Sequence, residues 1–153
     1  MTLAKSLGSG VPIGALVVHG RIKEEVLTPG THASTYGGNP LVTAAALGVF
    51  SAIEKERLLQ NAEQMGAYLK SKLVALKEKY PLIKEVRGIG LMLGMELDRP
   101  GADAVNRARA KGFLINCTQD RILRIMPAMT VTKRLIDRGA QILDQVFSEM
   151  GSQ

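Results

Sequence analysis

Lys5 lies in the segment Thr2-Leu3-Ala4-Lys5-Ser6-Leu7-Gly8-Ser9-Gly10, just ahead of the apolar run Pro12 to Val18. A lysine amine acts as a nucleophile or base only when neutral, and burial against an apolar strand end is one way to reach that state near neutral pH. Such an amine condenses with carbonyl groups and can move a proton at the neighbouring carbon. A solvated loop or helix-start lysine is the competing reading. A second segment, Thr31-His32-Ala33-Ser34-Thr35-Tyr36-Gly37-Gly38-Asn39-Pro40, brings hydroxyls and glycine amides to a helix entry, a setting suited to a phosphate. Taken by itself it also fits a turn that only caps a helix. A third, Leu123-Arg124-Ile125-Met126-Pro127, places a guanidinium in an apolar strand. Its planar fork matches a carboxylate, but within a core it is costly unless paired, so an ion pair with Glu96 or Asp120 is the alternative. His19, His32 and Cys117 show no metal-ligand spacing, and no metal site is expected.

The elements that must hold these residues can be read from periodicity. Ala15 to Val18, with Ile13 nearby, reads as a buried strand received by a larger sheet, and Arg21 to Val26 as a short helix or turn. Thr28-Pro29-Gly30 breaks the chain ahead of the loop. Asn39 and Pro40 read as cap and first residue of a helix whose apolar face is Leu41, Ala44, Ala45, Leu47, Gly48 and Val49, buried on several sides or packed on another subunit. Helical spacing continues to Tyr80-Pro81, with a break expected near Glu56 to Leu58.

Beyond Pro81, Ile83 and Val86 followed by Ile89 to Leu97 read as a strand with a glycine bend, Asp103 to Lys111 as a helix, and Phe113 to Asn116 and Ile122 to Ile125 as strands. Thr132 to Met150 closes as an amphipathic helix with Leu135, Ile136, Ile142, Leu143, Val146 and Phe147 turned inward. The last hundred residues thus form a compact α/β unit, whereas the first fifty carry too few elements to bury one another.

Composition narrows the functional classes. The 153 residues are 46% hydrophobic and 22% charged, which is globular rather than disordered. The net charge of +6 is spread among acidic residues along helical stretches, and three Phe, three Tyr and no Trp give no stacking platform, so nucleic acid is not an expected partner. No apolar stretch reaches the roughly 18 residues a bilayer needs. The start lacks a secretory pattern, and a single cysteine, Cys117, expected as a buried structural thiol, suits a reducing, cytoplasmic compartment.

Together, in their order and spacing, the Lys5, Thr35 and Arg124 segments resemble the class III (ornithine-type) pyridoxal phosphate aminotransferases. The run Gly112-Phe113-Leu114-Ile115-Asn116-Cys117-Thr118 leading into Leu123-Arg124 is most similar to the acetylornithine type. The resemblance implies an α/β fold, the type I fold of pyridoxal phosphate transferases, of which this chain would be a C-terminal fragment. Residues 1–56 would end the large cofactor domain, and 57–153 would supply a linking helix and the small α/β domain. It implies pyridoxal 5'-phosphate as cofactor, with Lys5 as the catalytic lysine that binds its aldehyde. Thr35, and secondarily Ser34, would bind phosphate, Thr35 reaching the cofactor of the partner subunit in a homodimer. Arg124 would grip the substrate α-carboxylate, with Pro127-Ala128 standing where the family commonly has two prolines.

The implied reaction is amino transfer between N-acetylornithine and 2-oxoglutarate in arginine biosynthesis. Ornithine or γ-aminobutyrate as donor, and an inactive remnant serving as an interaction module, are the alternatives. On this resemblance the family's ring-pairing aspartate, stacking aromatic, main phosphate turn and second substrate arginine lie upstream of Lys5. The isolated chain is then expected to be inactive.

Overall fold

The computed structural model describes residues 1–22 and 28–151, and the chain divides into two units, Met1–Arg57 and Leu58–Gln153. The boundary expected at 56/57 falls one residue before this division. Most of the expected helix or turn over Arg21 to Val26 lies outside the described residues.

In the first unit, β1 (Thr2–Leu3) pairs antiparallel with β2 (Ala15–Leu16), and a short 3-10 helix covers Lys5–Gly8 between them. The expected buried strand in a large sheet is corrected here. The strand has two residues, both exposed, and Leu16, Val17 and Val18 remain about half exposed. Helix α1 (Pro40–Lys55) begins as expected: Asn39 Oδ1 accepts from the amides of Leu41 and Val42, and Pro40 takes the first turn, where no amide donor is needed. Its buried side is Val42 and Ala46, while Leu41 and Leu47 on the predicted apolar face are 72% and 70% exposed. The helix of small residues therefore packs narrowly, through one stripe. It ends at Glu56, and Arg57 turns the chain at a positive φ of 51°, which is the break the composition change predicts.

The second unit opens with α2 (Leu58–Lys79), stopped before Pro81. A four-stranded antiparallel sheet follows in the order β3-β4-β6-β5, built from β3 (Ile83–Ile89), β4 (Met92–Leu97), β5 (Asn116–Thr118) and β6 (Ile122–Ile125). Helix α3 (Ala102–Ala110) sits between β4 and β5, and α4 (Lys133–Gly151) closes the chain. The single bent strand expected over 83–97 is instead a hairpin: Gly88, at φ +126°, is still paired within β3, and Gly90, at φ +54°, lies in the turn that leads to β4. The strand expected at 113–116 lies later, at 116–118, since Gly112 ends α3 and the next residues lead into pairing only at Asn116.

Strand alternation divides the sheet cleanly. Leu93, Met95 and Leu97 of β4 and Leu123 and Ile125 of β6 face a core completed by Leu69, Leu73 and Leu76 of α2, Ala104 and Ala108 of α3, and Leu143, Val146 and Phe147 of α4. Ile136 is buried as expected, but Leu135 is 49% exposed because it falls off the buried stripe of α4. Cys117 is half-buried rather than buried, its sulfur occupying the space where a Gly101 side chain would stand.

Two matched clamps tie α2 to α4. Tyr68 Oη and Lys72 Nζ both donate to Asp137 Oδ1, at 2.7 and 2.8 Å. Tyr80 Oη and Lys79 Nζ both donate to Asp144 Oδ1, at 2.8 and 2.7 Å. In each, the lysine also lies over the tyrosine ring, about 5 Å from its centre. Among the described residues no helix is long and apolar enough to cross a membrane.

Candidate active site

Lys5 opens the 3-10 helix with φ +56°, a left-handed conformation that side-chain-bearing residues adopt at a cost of about 1–2 kcal/mol. Such strain persists where surrounding structure imposes it. At the other end of this helix Gly8 is buried, and a Cβ added there would lie 2.8 Å from Ile13 Cγ2 and 3.1 Å from Val11 Cγ2. The amine itself is exposed. The expected burial against an apolar strand end is therefore not found.

Lys5 and Ser34 are brought to one open cavity of about 530 Å³. Pro12, Ile13 and Gly14 form one wall, and Tyr36, Gly37 and Gly38 the other. The Ser34 side is a tight turn in which the Gly37 amide donates to Ser34 Oγ at 2.9 Å. A Cβ on Gly37 would lie 2.7 Å from that oxygen, so a side chain there would displace Ser34 from its turn position. Gly38 follows at φ +68° with open space where a side chain would stand. Asn39 fastens this loop to α1 from both ends, its Nδ2 donating to the Tyr36 carbonyl at 2.8 Å while its Oδ1 caps the helix. The capping reading and the ligand reading are thus compatible, because the cap is made by Asn39 and not by the hydroxyls.

Thr35 is exposed and does not line the cavity. Arg124 belongs to the second unit, on β6, where alternation places it on the sheet face away from the core. It pays no burial cost, and neither Glu96 nor Asp120 pairs with it. Glu96 is held by Arg87, which Glu85 also binds, and Nε of Arg124 donates to Asn116 Oδ1 at 3.2 Å. Sequence reasoning missed Tyr36 and Asn116. The second could have been found from hairpin register, since Asn116 and Arg124 are directly opposed.

An amine, a hydroxyl with a free proton and a glycine-rich turn around one cavity fit an aldehyde-bearing phosphate ester. Comparison with known proteins decides the family. Residues 1–147 match the model of Aminotransferase class-III. The chain belongs to the class III aminotransferases.

Among curated class III relatives, the acetylornithine aminotransferase of Methanocaldococcus jannaschii is 49% identical over 153 residues, covering 98% of this chain and 37% of that protein. That of Caldanaerobacter subterraneus subsp. tengcongensis is 44% identical, covering 98% and 38%. The chain therefore spans less than two-fifths of the length of these relatives. Among solved structures, ornithine aminotransferase of Toxoplasma gondii superposes with a TM-score of 0.90 at 34% identity, covering 99% of this chain and 37% of that one. A second structure of that enzyme has PLP at partial occupancy in its active site. Acetylornithine aminotransferase of Elizabethkingia anophelis gives a TM-score of 0.86 at 30% identity, covering 97% and 40%. The fold is thus that of a PLP-dependent aminotransferase, over this portion of its length.

Proposed function

We propose that this chain is the lysine-bearing part of a PLP-dependent aminotransferase that exchanges an amino group between N-acetylornithine, or a related ω-amine, and 2-oxoglutarate. The observation that carries the reading is the convergence of Lys5 and Ser34 on one cavity, in a chain 49% identical to an acetylornithine aminotransferase. The bound cofactor supplies an electron sink that makes the proton on the nitrogen-bearing substrate carbon labile. Lys5 Nζ takes that proton and holds it for return, as a general base on a short tether. Ser34, whose oxygen already accepts from Gly37, keeps its hydroxyl proton for a phosphate oxygen.

Thr35, exposed beside that turn, is placed in this reading at the phosphate bound by a second copy in a homodimer. Arg124 binds the substrate α-carboxylate through its guanidinium edge. We place the enzyme in arginine biosynthesis, supported by the acetylornithine aminotransferase relatives, and in the cytoplasm, as its sequence leads us to expect. Turnover of N-acetylornithine, ornithine and γ-aminobutyrate against 2-oxoglutarate by the enzyme that carries this sequence tests the substrate assignment. A kcat/KM highest for N-acetylornithine supports it. Preference for ornithine, the donor named for the Toxoplasma structure, would replace it.

A further inference from the structure

Four residues form one row across the outer face of the second unit's sheet: Arg87 on β3, Gly94 on β4, Arg124 on β6 and Asn116 on β5. The two arginines differ in their company. Arg87 is neutralised by Glu85 and Glu96. Gly94 puts no side chain between the guanidiniums, and the hydrogen bond from Arg124 Nε to Asn116 Oδ1 is the one partner of that guanidinium among the described residues. A guanidinium offers two edges to a carboxylate, one through Nε and one through its terminal nitrogens. Asn116 occupies the Nε edge and, being neutral, leaves the positive charge whole.

We infer that Asn116 is a positioning residue that fixes Arg124 so its terminal nitrogens meet the carboxylate of the 2-oxo acid, and that its neutrality is the property required. The inference rests on the reading of Arg124 as the carboxylate clamp. Aspartate at 116 would accept the same hydrogen bond but cancel the charge and compete with the substrate. A purely structural role would tolerate it.

The test is steady-state kinetics of the enzyme carrying this sequence, with N116D, N116A, N116Q and R124K variants and thermal midpoints measured in parallel. Loss of a charge-assisted contact predicts a KM for 2-oxoglutarate raised about tenfold or more in N116D, appearing in KM rather than kcat, with a smaller rise in N116A. N116Q, a neutral amide, is expected to recover part of the loss. If R124K raises KM while N116D does not, Asn116 has no positioning role and the clamp stands. If R124K leaves KM unchanged, the clamp reading itself fails. Should N116D not fold, an N116A enzyme with the KM of the parent overturns the inference.

Discussion

Gly66 of α2 lies directly against the backbone of Gly90 in the β3–β4 turn, so closely that a Cβ on Gly66 would overlap the Gly90 carbonyl. The contact lets the helix seat on the hairpin without an intervening side chain. Gly90 contributes by turning at φ +54°.

Gly66→Ala is therefore expected to destabilise the second unit by about 1–3 kcal/mol, the usual cost of forcing atoms into a filled space. Alanine would raise helix propensity at this site by about 1 kcal/mol, so an unchanged or higher denaturation midpoint would show that the backbone approach is not tight. Urea unfolding followed by circular dichroism reads the difference.

The core between sheet and helices depends on Phe147, which is fully buried and packs against Tyr80 with ring centres 5.8 Å apart. Phe147→Ala is expected to cost about 3–5 kcal/mol. The same measurement checks it, and a loss below 1 kcal/mol would be inconsistent with this packing.

The clamps between α2 and α4 make the second unit acid-sensitive. Hydrogen bonds from Lys72 and then Tyr68 hold the Asp137 carboxyl below its usual range, and Lys79 and then Tyr80 do the same for Asp144. A carboxylate with a depressed folded pKa stabilises above its unfolded pKa of about 3.9 and loses that contribution as pH falls through the folded value. Stability should thus decline below about pH 4. The double variant D137N/D144N should be less stable at pH 7 and show a flatter acid limb in thermal melts between pH 6 and 2. An identical acid limb would show that the clamps do not cause the acid sensitivity. Lys72 and Lys79 are raised above their ordinary value by the same hydrogen bonds, so their share is lost only as pH rises through those raised values.

Ser34 both closes its turn and faces the cavity. Ser34→Ala should weaken PLP binding about tenfold, the loss of one hydrogen bond to a charged oxygen, while Ser34→Thr restores most of it. Spectrophotometric PLP titration of the enzyme carrying this sequence is the measurement. Equal affinity in Ser34→Ala would leave the hydroxyl as a turn former only.

The helices and most of the second unit's strands were legible because their signals are local. Asn39 and Pro40 announce α1, the composition change at Ser51 to Arg57 announces the break, and the alternation of Leu93, Met95 and Leu97 announces a strand with one buried face. The β3–β4 hairpin was misread as one strand, since Gly88 and Gly90 could signal a bend or a reversal equally well, and only the pairing of Ile89 with Met92 distinguishes them. The exposed sides of α1 and β2 were misjudged for a different reason. Apolar sequence at Leu41, Leu47 and Leu16 reports a tendency to be buried, and in this chain those residues are open. At the site, residue identities at Lys5, Ser34 and Arg124 were readable as chemistry, whereas the sharing of a cavity by Lys5 and Ser34 and the contact of Asn116 with Arg124 are long-range facts that periodicity does not carry.

In the proposed function Lys5 is the lysine that engages the cofactor. Incubating the enzyme that carries this sequence with PLP, reducing with borohydride and mapping the modified peptide by mass spectrometry tests it most directly. A phosphopyridoxyl group is expected on Lys5 Nζ, absent in Lys5→Ala. Stoichiometric modification at a different lysine, with Lys5 unmodified, would contradict it.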